Sequence, residues 1–152
     1  MDGIAYIFLT HQDDVADAER YARHFKAKRI IHEADLSAQP QAEMVIQGLE
    51  SFYIHPEFQI IPTPGHTRGH MVLLFRERFL FTGDHLSWWP ELHSLNASRN
   101  YCWYSWQKQM ESMQRIAQKN FEWVLPGHGH RIHQSQREMH HNMEVLIERM
   151  QI

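Results

Sequence analysis

The spacing of apolar residues predicts that the chain opens with a strand, a helix and a second strand. Residues 4–9 form a short apolar run with β-branched and aromatic side chains, which is typical of a buried strand. Between residues 14 and 25 the apolar positions recur at helical spacing, and acidic residues stand in the first turn, where the helix dipole favours them. Residues 28–32 have the pattern of the next strand.

The rest of the chain continues with further strands and two more helices. Ser135 is followed three residues later by Glu138, which predicts a capping box at the start of a last helix through Met150. The other predicted elements are strands over 42–47, 50–54, 58–61 and 121–125, a hairpin of strands 71–75 and 78–82, and a helix over 104–118. Strands bordered by helices in this way predict an α/β or α+β fold.

Length and composition indicate one soluble domain. A chain of 152 residues, 43% of them hydrophobic and 22% charged, is long enough for one core, so we expect a single domain over 1–152. Cys102 is the one cysteine, which excludes an internal disulfide and fits a reducing, cytoplasmic location. Residues 1–10 lack the basic region and longer apolar stretch of a signal peptide, and no apolar run has membrane-spanning length, so we expect neither a signal peptide nor a membrane span. A net charge of −3 gives no reason to expect a nucleic acid partner.

Histidine is unusually frequent, with 13 residues, and part of this excess stands where strands end. Four predicted strands are each followed by a turn that contains histidine or aspartate, and glycine flanks three of these turns. The side chains in question are His11 with Asp13 and Asp14, His66, Asp84 and His128. Neutral imidazole and carboxylate are ligands that zinc, manganese and iron accept without cysteine. The pattern therefore predicts a metal centre at the ends of the strands.

In order along the chain, these turns resemble the motifs of the metallo-β-lactamase-fold hydrolases. The matching segments are Thr10-His11, Gly65-His66-Thr67-Arg68-Gly69, Thr82-Gly83-Asp84 and Pro126-Gly127-His128-Gly129. The resemblance covers nearly the whole chain. It implies an α+β fold, in which two sheets lie between helices in αββα layers, and a small-molecule substrate bound beside one or two metal ions.

The resemblance also implies a ligand set. His11, the residue at position 13 and His66 would hold one metal, and Asp84 would bridge it to a second metal that His128 helps to hold. The residues assigned to metal binding are therefore His11, Asp13, His66, Asp84 and His128.

The first motif departs from the family pattern Thr-His-x-His-x-Asp-His. Asp13 stands at the second histidine. The Asp-His pair is expected at Val15 and Ala16, or at Asp14 and Val15 if one residue is deleted. A carboxylate at position 13 preserves the first site with harder ligand character. The second site has lost at least one ligand, so we expect one tightly held ion, or a pair completed by Asp14.

Only nine residues precede Thr10, where the family usually has several strands and a helix. We therefore expect the N-terminal strands of the fold to be missing. An incomplete sandwich would expose an apolar sheet face, which favours a homodimer that covers it.

Two groups near the motifs have roles that the sequence leaves open. His70 and His85 either orient the ligands beside them, face the substrate, or are structural polar residues. The aromatic residues between Trp88 and Trp106 either border a substrate pocket or pack in the core. Cys102, within this group, is expected to be a small buried side chain and not a nucleophile.

Together these features predict a metal-dependent hydrolase that acts on an ester, thioester, lactone or phosphoester. The metal, zinc by preference with manganese or iron as alternatives, would activate a coordinated water, and Asp14 is the carboxylate expected to transfer a proton. Two alternatives remain: a binding protein that has lost catalysis with its altered first motif, and a di-iron redox protein.

Overall fold

The structure is a computed structural model that describes residues 3–152 and contains eleven strands and three α-helices within that range. The first part holds β1 (Tyr6–Phe8), α1 (Ala18–Phe25), β2 (Lys28–His32) and β3 (Met44–Ile46). The middle holds β4 (Phe52–His55), β5 (Phe58–Pro62), β6 (Met71–Phe75), β7 (Phe79–Gly83), β8 (Ser87–Trp89) and β9 (Ser94–Asn96). The last part holds α2 (Trp106–Ile116), β10 (Trp123–Pro126), β11 (Ile132–His133) and α3 (Gln136–Met150).

The strands form two main sheets and one small hairpin. The first sheet is parallel, with the order β1-β2-β3. The second has the order β11-β10-β7-β6-β5-β4, in which β10 runs parallel to β7 and the other neighbours are antiparallel. Strands β8 and β9 pair separately. This topology gives a mixed α+β fold.

Neighbouring side chains on a strand belong to different core clusters, which shows that the two sheets lie face to face between helices. On β2, Ile30 packs between the two sheets, and its neighbour Ile31 packs on the other face beneath α1. On β6, Met71 lies between the sheets, and Val72 faces the core formed with α2 and α3. Since successive side chains on a strand point to opposite faces, each sheet buries both of its faces and the layers are αββα.

The first sheet is short but present. Among residues 3–152, β1 pairs with β2 alone, so its other edge is open. Tyr6 on β1 and Phe81 on β7 are exposed beside this edge. Beside β1 the second sheet is left open in a groove lined by Phe8, Leu73 and Phe81, whereas β2 and β3 cover the neighbouring part of that sheet.

Within the same range, no helix combines the length and the apolar character needed to cross a membrane.

Candidate metal centre

Three strand-end loops bring His11, His66 and Asp84 together. His11 follows β1, His66 follows β5 and Asp84 follows β7. One ligand atom of each lies within 4.8 Å of the others. Oδ2 of Asp84 is 3.2 Å from Nε2 of His11 and 3.5 Å from Nε2 of His66. Side chains that are 55 and 18 residues apart thus face one point.

The two Nε2 atoms are buried without a hydrogen-bond partner. His11 is 2% exposed and His66 is 4% exposed. The Asp84 carboxylate is near, but neither Nε2 atom forms a hydrogen bond with any group of the described residues 3–152. An unpaired buried nitrogen costs free energy. A divalent cation between two imidazoles and a carboxylate would satisfy all three groups, so these residues fit a metal ion.

The other ring nitrogen of each histidine is held by a hydrogen bond. Nδ1 of His66 donates to the backbone carbonyl of Tyr101, and Nδ1 of His11 lies 2.8 Å from the hydroxyl oxygen of Thr10. Because a carbonyl only accepts, the proton of neutral His66 is on Nδ1 and the lone pair is on Nε2. His66 is therefore in the tautomer that binds a metal through Nε2.

Asp84 is charged and lies among three histidines, His11, His66 and His128. Burial raises the pKa of this carboxyl, but the neighbouring imidazoles of His11 and His128 outweigh burial and hold the pKa well below its usual range. Nδ1 of His128 lies 2.7 Å from Oδ1 of Asp84, and this hydrogen bond raises the pKa of His128. His128 thus contacts the oxygen of Asp84 that faces away from the two buried histidines.

Asp13 and Asp14 lie on different sides of Asp84. Oδ2 of Asp13 is 3.3 Å from Nε2 of His66 and 3.9 Å from Nε2 of His11, so Asp13 lies beside the three-residue group. Oδ2 of Asp14 is 3.9 Å from Nε2 of the exposed His128. Three of the five predicted ligands, His11, His66 and Asp84, therefore surround one point. Asp13 lies beside that group next to His66, and His128 and Asp14 face each other on the other side of Asp84.

His70 and His85 are fully buried and hold the backbone of two ligand loops. Nε2 of His70 accepts from the backbone N–H of Asp84 (3.3 Å), and Nε2 of His85 accepts from that of His66 (3.1 Å). The two rings stack with centroids 3.9 Å apart. Burial lowers the pKa of both well below the usual value, so both are neutral acceptors. Of the roles left open by the sequence, these contacts favour orientation of the proposed ligands over contact with the substrate, because both side chains are fully buried.

One buried residue of the site has no motif in the sequence. Asp35, in the 3-10 turn Glu33–Ala38 after β2, accepts hydrogen bonds from Gln12, Thr67 and Gly69. Its one signal in the sequence is its position shortly after a strand, which many aspartates share.

Two exposed aromatic side chains lie at the rim of the centre. The ring of Trp103 is 6.3 Å from that of His66 and 6.3 Å from that of Tyr101, and both aromatic residues are about two-thirds exposed. Cys102, which lies between these two residues in the sequence, donates from its thiol to the backbone carbonyl of Gly65, and burial raises the pKa of the thiol. This raised pKa is opposite to what a reactive thiolate needs.

A groove of about 350 Å³ opens beside the centre. Its walls combine apolar side chains of both sheets with polar groups of the site, and it reaches His11, Asp14 and Asp84. The apolar lining residues are Phe8, Leu73, Phe81, Leu125 and Pro126. A mainly apolar groove with few polar groups at one end is the usual form of a small-molecule site.

No family model matches the chain. A curated relative, the hydroxyacylglutathione hydrolase of Citrobacter koseri, is 34% identical over 82 residues, which are 53% of this chain and 32% of the relative. The chain thus spans about a third of the length of this relative.

Solved structures match over almost the whole chain. ETHE1 from Myxococcus xanthus matches 98% of this chain and 69% of its own length, with a TM-score of 0.68 and 20% identity. The metallo-β-lactamase FIM-1 from Pseudomonas aeruginosa, in a mono-zinc form, matches 98% of this chain and 68% of its own, with a TM-score of 0.69 and 20% identity. An archaeal metallo-β-lactamase superfamily protein from Sulfolobus tokodaii has a TM-score of 0.59 at 23% identity, over 95% of this chain and 68% of its own.

The chain has the metallo-β-lactamase fold. The α+β class with αββα layers that the four motifs imply is confirmed by these structural matches.

Proposed function

We propose that the chain is a metal-dependent hydrolase of ester, thioester, lactone or phosphoester bonds. The observation that carries this proposal is the pair of buried, unpartnered Nε2 atoms of His11 and His66 that face the charged carboxylate of Asp84. The name of the curated relative, a hydrolase, supports the same reaction class.

The donor set favours one zinc ion. His11, His66 and Asp84 would hold it, with Asp13 as a fourth ligand. Two imidazoles and carboxylates without sulfur suit zinc, and manganese or iron accept the same atoms. When bound, such a cation lowers the pKa of a coordinated water towards neutrality and stabilises negative charge that develops on a substrate oxygen.

The protein's own groups would orient the substrate and accept the proton. Asp14 lines the groove as an exposed carboxylate and would be the group that accepts a proton from water. His128, hydrogen-bonded to Asp84, holds the orientation of that carboxylate. The apolar wall of the groove would bind the apolar part of a small-molecule substrate and exclude water from it.

Metal analysis and substrate assays test this proposal. We expect about one zinc per chain and hydrolysis of at least one of four probes, a thioester, an ester, a lactone or a phosphodiester. Chelation should abolish this hydrolysis and added zinc should restore it. His66→Ala should lower the rate by roughly 1,000-fold, and His141→Ala, an exposed histidine on α3, should leave it unchanged. A protein that gains no zinc on incubation would contradict the proposal.

A non-catalytic binding protein is the second candidate. It is favoured by Val15 and Ala16, which stand where the resembled family has its Asp-His pair. Zinc bound without hydrolysis of any probe would favour this candidate. Bound iron with visible absorption would instead favour the redox alternative.

A further inference from the structure

A buried carboxylate outside the metal centre joins the two loops that carry its histidines. Asp35 is 1% exposed and belongs to the turn after β2, away from the strands that end in His11 and His66. In the described part of the chain it forms no ion pair with lysine, arginine or histidine. Its negative charge must therefore be balanced by hydrogen-bond donors.

The donors come from both histidine loops. In the first loop, the backbone N–H of Gln12 donates to Oδ2 of Asp35 at 3.0 Å. In the second loop, the hydroxyl of Thr67 donates to Oδ2 at 2.6 Å, and the backbone N–H of Gly69 donates to Oδ1 at 2.8 Å. Gln12 is next to His11 and Thr67 is next to His66, so two of the three bonds act one residue from a proposed ligand, and the third acts three residues from His66. Hydrogen bonds to a charged acceptor are short and strong.

The turn Glu33–Ala38 and the second loop are packed closely together at Asp35. A β-carbon at Gly69 would lie 2.7 Å from the carboxyl carbon of Asp35 and 2.8 Å from its backbone nitrogen. Position 69 therefore has to be glycine for the loop to approach the carboxylate this closely. A small displacement of Asp35 would move both loops.

We propose that Asp35 is a positioning residue that fixes the two loops relative to each other, so that Nε2 of His11 and Nε2 of His66 face the same point. This proposal rests on the proposed function, because the preorganised pair matters for binding a metal ion. Groups that orient ligands typically change metal affinity by about 10- to 100-fold.

Asp35→Asn tests the proposal, because the amide keeps the shape of the side chain but loses the charge and one acceptor oxygen. Glu43→Gln is the matched control. The Glu43 carboxylate also belongs to the first-sheet layer and accepts three N–H bonds, all from Arg29, without contact to either histidine loop. Zinc affinity is measured by competition with a chelator. The rate of hydrogen exchange with solvent at the backbone amides of Gln12 and Gly69 is measured by NMR in the metal-free protein.

We expect Asp35→Asn to weaken zinc binding by about 10- to 100-fold and to speed exchange at both amides, whereas Glu43→Gln changes neither. Thr67→Val removes one of the three bonds and should weaken zinc binding severalfold, but should add little to Asp35→Asn. If Asp35→Asn does not fold, Thr67→Val alone decides. Zinc affinity that stays at the wild-type value in the folded variants would overturn the proposal. If the wild type binds no zinc, the proposed function fails, and amide exchange at Gln12 and Gly69 still decides whether Asp35 fixes the loops.

Discussion

The four buried histidines of the site differ in what their ring nitrogens meet. His70 and His85 each use Nε2 to accept a backbone N–H, and both stay neutral because burial lowers the pKa. His11 and His66 use Nδ1 in a hydrogen bond and leave Nε2 free towards Asp84. The hydrogen-bond partner of each histidine thus decides whether its Nε2 atom holds a backbone N–H group or is left free for the proposed metal ion.

The motifs are enough to predict His11, Asp13, His66 and Asp84 as neighbours, because each stands at the end of a strand. They assign His128 to the metal as well, and the structure places it against Asp84. The assignments of all these residues to metal binding, and of Asp14 to proton transfer, stay predictions. Asp35 could not be predicted, since its role depends on contacts with loops that are 23 and 32 residues away.

A residue-scale prediction concerns the ion pair of Arg29 and Glu43. The hydrogen bond from the nearly buried guanidinium lowers the pKa of Glu43 from 4.5 to about 2. A carboxyl whose folded pKa is depressed stabilises the fold above its unfolded pKa, and this contribution is lost as the pH falls from 4.5 towards 2. Glu43→Gln should therefore lower the free energy of unfolding at pH 7 by about 1 kcal/mol, a modest value because the carboxylate is partly exposed.

Urea denaturation at pH 7 and pH 3 measures this effect. The difference between wild type and variant should be smaller at pH 3 than at pH 7. An equal difference at both pH values would show that the pair does not act through the charge of Glu43.

At the scale of elements, periodicity predicts the three helices and eight of the eleven described strands and misses β8, β9 and β11. The bounds of β2 and β6 agree with the pattern, and α2 begins after Ser105, which caps it by accepting from the backbone of Lys108. The hairpin of β8 and β9 and the strand β11 have two or three residues each, too few to show a period. Helix α1 begins at Ala18 and not at residue 14, because Gln12–Asp14 form a 3-10 turn and Ala16 has a left-handed φ of 43°.

An element-scale prediction concerns the cap of α3. The Ser135 hydroxyl accepts from the backbone N–H of Glu138, and the carboxylate of Glu138 accepts from the backbone N–H of Ser135, which confirms the predicted capping box. The helix buries Met139 and Met143 in the main core, so fraying at its start weakens the core. Ser135→Ala should lower the free energy of unfolding by about 1 kcal/mol.

Chemical denaturation compares this variant with Ser51→Ala, which changes an exposed serine that caps no helix. The control should retain wild-type stability. Equal losses in the two variants would argue against the cap as the cause.

At the scale of the whole molecule, the fold serves to bring distant loops to one edge. The first sheet supplies His11, and the second supplies His66, Asp84 and His128, so the site exists only when both sheets pack. The sequence motifs predict this convergence and the layers, but not how far the first sheet extends. The homodimer expected from an exposed apolar sheet face stays a prediction, which the molar mass from light scattering tests.

A whole-molecule prediction concerns the number of ions. Restoring the family pattern with Asp13→His, Val15→Asp and Ala16→His places two more donors on the loop that faces Asp84 and His128. Position 16 has a left-handed backbone, which histidine tolerates better than most residues. The triple variant should bind one more zinc per chain than the wild type, as measured by elemental analysis. If the wild type is a binding protein without activity, hydrolysis should appear in this variant. An unchanged zinc content would mean that the loop cannot bring these side chains to the second position.

Anomalous diffraction at the zinc absorption edge shows whether the three distant loops form one cation site. For crystals grown with zinc, we expect a strong anomalous peak in contact with Nε2 of His11, Nε2 of His66 and the carboxylate of Asp84. A map without a peak among these three side chains, or with zinc only at exposed histidines such as His141, would contradict this expectation.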